Sequence, residues 1–388
     1  MNVVAERAPR VERGAAPGFR RFRVTGRKQE SESIVSFELV PADGVALPSF
    51  LAGQYVTLRL PLSPAETLLR TYSLSGDPAD ATRWRISVKR ESARDGAPAG
   101  RGSAYLHEHV CVGDELELAG PSGAFVCGDD TARPVVLMSG GVGLTPLVSM
   151  LHRLRAMDGA RRVHFIHACE NGAVHAFRHE VEQVAAAHPD VLAHFCYRQP
   201  SEQDRIARHF HSEGLLSRET LQSLLPLDDY EVYLCGPPAF MQANWGLLRN
   251  LGVARERIHY EFFGPAAVLE QDADVASARV PPARIESAAM HTTTVRFSPQ
   301  GEPVAWDPAC GSLLEFAEQN GYEPAFSCRI GICNTCVMRL VDGDVEYTET
   351  PLETPPEGTV LLCCAKPSGN VTLALSDDAD MFDHPRTS

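Results

Sequence analysis

Five of the eleven cysteines in this chain fall between Cys328 and Cys364, and their spacing limits what the C-terminal part can fold into. The run Cys328-Arg-Ile-Gly-Ile-Cys333-Asn-Thr-Cys336 leaves four residues and then two between successive thiols, and the pair Cys363-Cys364 lies downstream. Three thiols in one tight loop, joined by a fourth from a distant segment, are the arrangement that holds a 2Fe-2S centre. Each iron then takes two protein sulfurs and two bridging sulfides. Glycine at 331 lets the backbone turn sharply and aims amide hydrogens at the sulfurs, which stabilises an anionic cluster. Zinc competes for four thiolates, but structural zinc usually shows two C-x2-C knuckles, and only one is present. A Rieske centre needs a C-x-H pairing that the chain lacks. Disulfide scaffolds are short and secreted, and 388 residues is neither short nor dense in cysteine. Spacing alone leaves Cys363 and Cys364 both open as the fourth ligand. Cys111, Cys127, Cys169, Cys196 and Cys310 have no ligand spacing and read as small buried hydrophobes.

The chain ahead of the cysteines changes texture twice. Residues 1–18 read as a disordered N-terminus. Short β-branched and aromatic runs then recur between Gly, Pro and Asp turns (Arg23–Val24, Ile34–Leu39, Tyr55–Leu60, Trp84–Lys89, Glu115–Leu118), which implies an antiparallel barrel over 19–130. From Arg133 apolar strands alternate with helical stretches: Val135–Met138, a helix from Pro146, Val163–Ala168, a helix from Glu180, Ala193–Tyr197, Val232–Leu234 and a helix through Leu248. That alternation implies a parallel α/β sheet over 131–265. Periodicity lapses into Ala, Pro and acidic residues over 266–290, a linker, and a compact α+β domain is expected over 291–388.

Charge narrows the partners. The formal net charge is -14, which argues against nucleic acid. From Met290 onward 15 acidic residues face 5 basic ones, so most of the excess sits on the last domain, where it can steer a basic protein partner. With neither a secretory leader nor an apolar run of membrane length in the sequence, a cytoplasmic location without membrane attachment is expected.

Arg70-Thr71-Tyr72-Ser73 combines a cation for a phosphate, a ring to pack on a planar heterocycle and a hydroxyl to reach it. Gly100-Arg101-Gly102-Ser103 opens a helix whose amides can meet a pyrophosphate, and the strand residue Lys89 can help neutralise it. Ser139-Gly140-Gly141-Val142-Gly143-Leu144-Thr145-Pro146 lies between an apolar strand and a helix, the context of a dinucleotide turn, although its spacing is not G-x-G-x-x-G. Cys235-Gly236-Pro237-Pro238 lies at the end of another strand.

These motifs, in this order, resemble the ferredoxin-NAD(P)H reductase superfamily. From Phe19 to Pro265 the chain is most similar to the reductase module of flavohaemoglobins, through Glu30-Ser31, Pro41-Ala42-Asp43-Gly44, Gly53-Gln54-Tyr55, Arg70 to Ser75, Tyr105-Leu106-His107 and Tyr260 to Pro265. It departs from them in having too few residues before Phe19 for a globin, and in carrying a further domain beyond Pro265. Thr292 to Leu375 resembles a plant-type ferredoxin, a β-grasp-like fold. The likeness of Leu362-Cys363-Cys364-Ala365-Lys366-Pro367 to that family's closing strand selects Cys363 as fourth ligand and leaves Cys364 on the strand's other face.

The resemblance implies that Arg70, Thr71, Tyr72, Ser73, Lys89, Gly100, Gly102 and Ser103 bind a flavin, FAD in preference to FMN. It implies that Gly141, Gly143, Thr145, Pro146, Cys235, Gly236 and Pro237 hold a nicotinamide dinucleotide. NADH is preferred over NADPH, because Arg198 is the one candidate for a 2′-phosphate and no basic cluster supports it. Ser73, Cys235 and Glu261 would organise hydride transfer, with Phe263 shielding the ring, and Cys328, Cys333, Cys336 and Cys363 would bind the cluster. The expected activity is an NADH-dependent reductase passing electrons singly to a terminal, Rieske-type oxygenase. The alternatives are a reductase of another redox enzyme, such as a hybrid-cluster protein, and a redox-sensing regulator.

Overall fold

The computed structural model describes residues 19–63, 66–93, 99–128, 133–156, 161–263, 293–297, 301–308, 310–322, 324, 326, 331, 336–348, 351 and 354–374. The expected N-terminal tail, the 266–290 linker, Cys328 and Cys333 lie outside these residues.

Alternating burial builds the first sheet. Strands β1 (Arg20–Gln29), β2 (Ile34–Pro41), β3 (Tyr55–Ser63), β4 (Glu66–Ser73) and β5 (Trp84–Lys89) are followed by helix α1 (Arg101–His109) and strand β6 (Glu115–Ser122). They pair antiparallel in the order β4-β3-β6-β1-β2-β5, and a bridge between Leu74 and Ile86 brings the two edges together into a barrel. Every second residue points inward, as in Phe22 and Val24, Phe37 and Leu39, and Leu58 and Leu60, all fully buried. Phe22 stacks on Trp84 with ring centroids 4.8 Å apart, which pins β1 over β5. α1 crosses the barrel mouth, anchored where His107 meets the Val88 carbonyl at 2.9 Å.

The second domain is doubly wound. Its strands are β7 (Val135–Gly140), β8 (Val163–Cys169), β9 (Val191–Tyr197), β10 (Ser212–Glu213), β11 (Glu231–Gly236) and β12 (Ile258–Phe262), all parallel, in the order β10-β9-β8-β7-β11-β12. Helices α2 (Leu144–Ala156), α3 (Arg178–Ala187), α4 (Glu202–Ala207), α5 (Arg218–Leu224) and α6 (Pro238–Asn250) connect them. Successive strands run outward from β7 in both directions, so the switch in strand order falls between β7 and β11. A crevice for a ligand opens at the carboxyl ends of strands at such a point. α2 begins two residues before the expected Pro146, because the tight turn Gly141–Gly143 runs straight into it; proline is harmless in a first turn, where its missing N–H has no helical partner.

The two faces of this sheet bury different neighbours. Val136, Met138, Ile166, Val232 and Leu234 pack against Met241, Trp245 and Leu248 of α6. The opposite face, carrying Leu137, Phe165, Phe195, Tyr233 and Cys235, shares one apolar cluster with Ile34, Ala52 and Phe125 of the barrel. The two domains therefore meet across a common core.

The third domain contributes β13 (Thr294–Arg296), β14 (Val304–Ala305), helix α7 (Leu313–Gln319), β15 (Val337–Asp342), β16 (Val345–Tyr347), β17 (Thr359–Leu361), β18 (Ala365–Pro367) and β19 (Val371–Ala374). Its main sheet runs β14-β13-β19-β15-β17, with β13 parallel to β19 and the other pairs antiparallel, while β16 and β18 form a separate ribbon. Phe297, Leu314 and Phe316 fill the space between α7 and the sheet, an α+β domain as expected. One local expectation fails. Leu362–Cys364 is a 3-10 turn between β17 and β18, not a continuous strand, so Cys363 and Cys364 are not sent to opposite faces; both are buried in the same core.

Candidate functional site

Strand register gathers the polar residues of the crevice into one row. Ser139 on β7 is aligned with Cys235 on β11 and His167 on β8, and Cys235 is aligned with Glu261 on β12. Residues level with one another in a parallel sheet project to the same face, here the one shared with the barrel. Burial pushes the Glu261 carboxyl up to about 8, so it is largely protonated at neutral pH, and its Oε2 has no hydrogen-bond partner among the described residues. Burial, and then the neighbouring Glu261, push the Cys235 thiol well above its ordinary range. Ser139 Oγ lies 2.8 Å from His167 Nδ1, and burial lowers that imidazole to about 3, so it stays neutral. Ser139 and His167 were not singled out from the sequence: a serine at the start of a glycine-rich turn and a lone histidine in an apolar strand carry no signal until register aligns them.

The glycine-rich turn is shaped by the end of β11. A Cβ on Gly143 would collide with the Cys235 carbonyl and sit 2.7 Å from the Gly236 nitrogen, so only glycine lets the turn lie against that strand. Gly141 has φ +52°, and Thr145 Oγ1 donates to the Val142 carbonyl at 3.1 Å, closing the turn. Pro237 is the N-cap of α6, with Pro238 as its first residue. Phe263, half-exposed, comes directly after β12.

On the barrel side, β3 pairs Tyr55 with Ser73, Val56 with Tyr72, Thr57 with Thr71 and Leu58 with Arg70. Ser73 is buried and its hydroxyl has no partner among the described residues; the Thr57 hydroxyl beside this strand is likewise unpartnered. Leaving a buried hydroxyl unpaired costs about 1–3 kcal/mol, so these groups fit a bound polar ring. Burial raises the Tyr72 phenol, opposed by the Arg70 charge. A Cβ on Gly102 would lie 3.0 Å from Arg70 Cγ, so this glycine lets the first turn of α1 pack onto the arginine stem. The Ser103 hydroxyl donates to the Gly100 carbonyl and accepts from the Glu91 amide, which ties the start of α1 to Glu91. Lys89 is held by Glu91 at 2.9 Å. Arg198 lies 3.6 Å from the Glu170 carboxylate, an acidic neighbour that weakens it as a phosphate ligand.

In the third domain Cys336 and Cys363 are both buried. The Gly331 amide, at φ +72°, donates to Cys363 Sγ over 3.2 Å. A backbone donor aimed at a buried sulfur suits a thiolate that carries charge, the condition of a cluster ligand. Cys364 is also close to that glycine: a Cβ at 331 would come within 2.8 Å of its sulfur.

Comparison with known proteins assigns each of the three domains to a family. Residues 21–127 match the family described as oxidoreductase FAD-binding domain, 137–244 the oxidoreductase NAD-binding domain and 297–368 the 2Fe-2S iron-sulfur cluster binding domain. A flavohemoprotein of Bacillus thuringiensis subsp. konkukian is 45% identical over 258 residues, covering 66% of this chain and 64% of its own length. The chain thus spans under two thirds of the flavohemoproteins it matches. The flavohem-like FAD/NAD binding domain of nitric oxide dioxygenase from Vibrio cholerae O1 biovar El Tor is 38% identical, with a TM-score of 0.56, covering 64% of this chain and 100% of that one. Phthalate dioxygenase reductase, described as a modular structure for electron transfer from pyridine nucleotides to [2Fe-2S], is 25% identical with a TM-score of 0.54, covering 92% of this chain and 98% of that one.

The fold and the three matched domains define an NAD(P)H-dependent flavoprotein oxidoreductase with an iron-sulfur domain. The chain belongs to the ferredoxin-NAD(P)H reductase superfamily, as a flavohaemoglobin-type reductase module joined to a C-terminal 2Fe-2S ferredoxin domain. No helix among the described residues is long and apolar enough to cross a membrane.

Proposed function

We propose that this chain is the reductase component of a terminal oxygenase of the Rieske type, taking electrons from NADH and delivering them singly. The observation that carries this is the succession of FAD-binding, NAD-binding and 2Fe-2S domains in one chain, together with a likeness to phthalate dioxygenase reductase that covers 92% of this chain. We take the domains as 19–130, 131–265 and 291–388, with 266–290 joining the last two. When bound, the flavin accepts a hydride and gives up its electrons one at a time, and the cluster holds one at a time.

The residues have distinct tasks in this reading. Arg70 and the amides opening α1 bind the flavin phosphates, with Gly100, Gly102 and Ser103 shaping that loop; Thr71 and Tyr72 support the ring and Ser73 meets its reactive edge. Lys89, paired with Glu91, can help neutralise the flavin phosphates. The turn Gly141–Gly143 with Thr145 and Pro146 receives the dinucleotide pyrophosphate. Cys235, Gly236 and Pro237 form a wall for the nicotinamide. Protonated Glu261 keeps negative charge away from the site and can donate a hydrogen bond there, while Phe263 shields the ring edge. Cys328, Cys333, Cys336 and Cys363 bind the cluster. The Glu170 carboxylate beside Arg198 disfavours a 2′-phosphate, which supports NADH. The acidic C-terminal domain suits a basic docking face.

Anaerobic capture of proteins on the reduced chain, followed by NADH-driven turnover with the captured acceptor, tests the assignment. An oxygenase whose turnover slows as salt rises is the expected result; a regulator or a non-oxygenase acceptor would overturn it.

A further inference from the structure

A cluster of paired charges lies between the barrel and the doubly wound domain, away from the row that holds Cys235 and Glu261. Arg85 on β5 reaches across to Glu180 on α3 through two bonds, Nη1 to Oε2 and Nη2 to Oε1, each 2.8 Å. His152 on α2 approaches the same carboxylate at 2.7 Å. The guanidinium also lies 4.7 Å from the ring of Phe177, the N-cap of α3, which holds φ +57°. A left-handed bulky residue is uncommon and persists only where its surroundings fix it. All three polar side chains are about four-fifths shielded from solvent, where a two-pronged arginine-carboxylate pair is directional.

The cluster is tied to both halves of the hydride-transfer site. On the barrel side Arg85 Nη2 donates to the Ser75 carbonyl and the Arg85 carbonyl accepts from the Ser75 amide, and Ser75 lies two residues beyond Ser73. On the dinucleotide side His152 rides on α2, the helix that starts at the end of the glycine-rich turn. A further link crosses nearby, from the Glu32 amide to the Ala173 carbonyl at 2.9 Å. A shift of Glu180 relative to Arg85 would therefore move the strand carrying Ser73 against the sheet carrying Cys235.

We propose that Arg85, Glu180 and His152 form an interdomain clamp that fixes the separation across which hydride passes, making Arg85 and Glu180 positioning residues for the reaction. This rests on the reading of the crevice as the hydride-transfer site. The two-pronged geometry supplies orientation, and a displacement of about 1 Å at a reacting pair can cost on the order of 100-fold in rate.

The test uses single-turnover reduction of the full-length holoenzyme by NADH, with dithionite-reduced enzyme reoxidised by ferricyanide as a control for the later electron steps. Glu180→Gln is expected to slow flavin reduction about 10-fold or more, with full FAD content and an unmoved reoxidation rate. The primary isotope effect with deuterated NADH should rise as transfer becomes fully limiting. Arg85→Lys, which keeps the charge but loses the fork, should do the same and serves if Glu180→Gln does not fold; the double variant should be no slower than the worse single one. Unchanged flavin reduction in a folded variant, or slowing that tracks loss of FAD, would overturn the clamp. A wild-type enzyme that NADH cannot bleach would overturn the reading of the crevice itself, and the clamp with it.

Discussion

Cys235, near the end of β11, and Cys363, in the turn after β17, are both buried thiols with a glycine close by, yet their surroundings ask for opposite chemistry. Cys235 faces a neighbouring carboxyl in a desolvated row, and burial and that carboxyl hold its proton on. Cys363 receives the Gly331 amide, a donor that favours sulfur bearing charge. A cysteine's use is thus set by what points at its sulfur more than by burial. In the proposed reading the first environment suits a neutral wall for a ring, and the second suits a metal ligand.

Substitution at Cys363 should separate the two most widely. Cys363→Ala is expected to abolish the signal of the reduced cluster and cut NADH-driven cytochrome c reduction by about 100-fold, while NADH still bleaches the flavin; electron paramagnetic resonance and stopped-flow absorbance read both. Cys235→Ala should leave the cluster intact and slow flavin reduction by about 10-fold, because a missing wall loosens the nicotinamide. Equal effects of the two variants on both signals would erase the distinction between the two thiols.

Gly331→Ala carries the next largest effect. A side chain at φ +72° is strained and meets Cys364 Sγ at 2.8 Å, so about 1–3 kcal/mol is lost, seen as lower iron content and faster cluster loss on warming. The last effect concerns Glu261 and is read as a pH dependence of stability. Its folded pKa of about 8 exceeds the ordinary value of 4.5, so the folded chain holds a proton there that the unfolded chain gives up. Stability from this group is full below about pH 4.5, falls through the interval and is lost above about pH 8, at about 1.4 kcal/mol per pH unit at most. Glu261→Gln should flatten that slope in thermal melts of the flavin-free protein across pH 5–8; an unchanged slope would show that the carboxyl is not held protonated.

Much of this arrangement is legible in the sequence, for reasons that vary by residue. The barrel strands announce themselves because apolar pairs two residues apart, Phe22 and Val24, Phe37 and Leu39, and Leu58 and Leu60, sit in short runs between turn residues. The doubly wound domain is equally plain, since β7 and β11 are apolar on both faces. The turn at Leu362–Cys364 is not legible, because six apolar residues in a row, Val360 to Ala365, read as strand and nothing local marks the bend. Resemblance alone brings Cys235 and Glu261 to one site, but the alignment of Ser139 and His167 with them and the Arg85–Glu180 fork are not legible: they join residues far apart in sequence, 95 positions for the fork, and exist only once register and domain packing are set.

An anaerobic reductive titration of the purified, cofactor-replete chain with NADH bears on the whole electron path at once. Two electrons on the flavin and one on the cluster predict uptake of about three electrons per chain, with flavin bleaching and the cluster signal both developing. An end point of about two electrons, with the cluster remaining oxidised while the flavin is fully bleached, would contradict it.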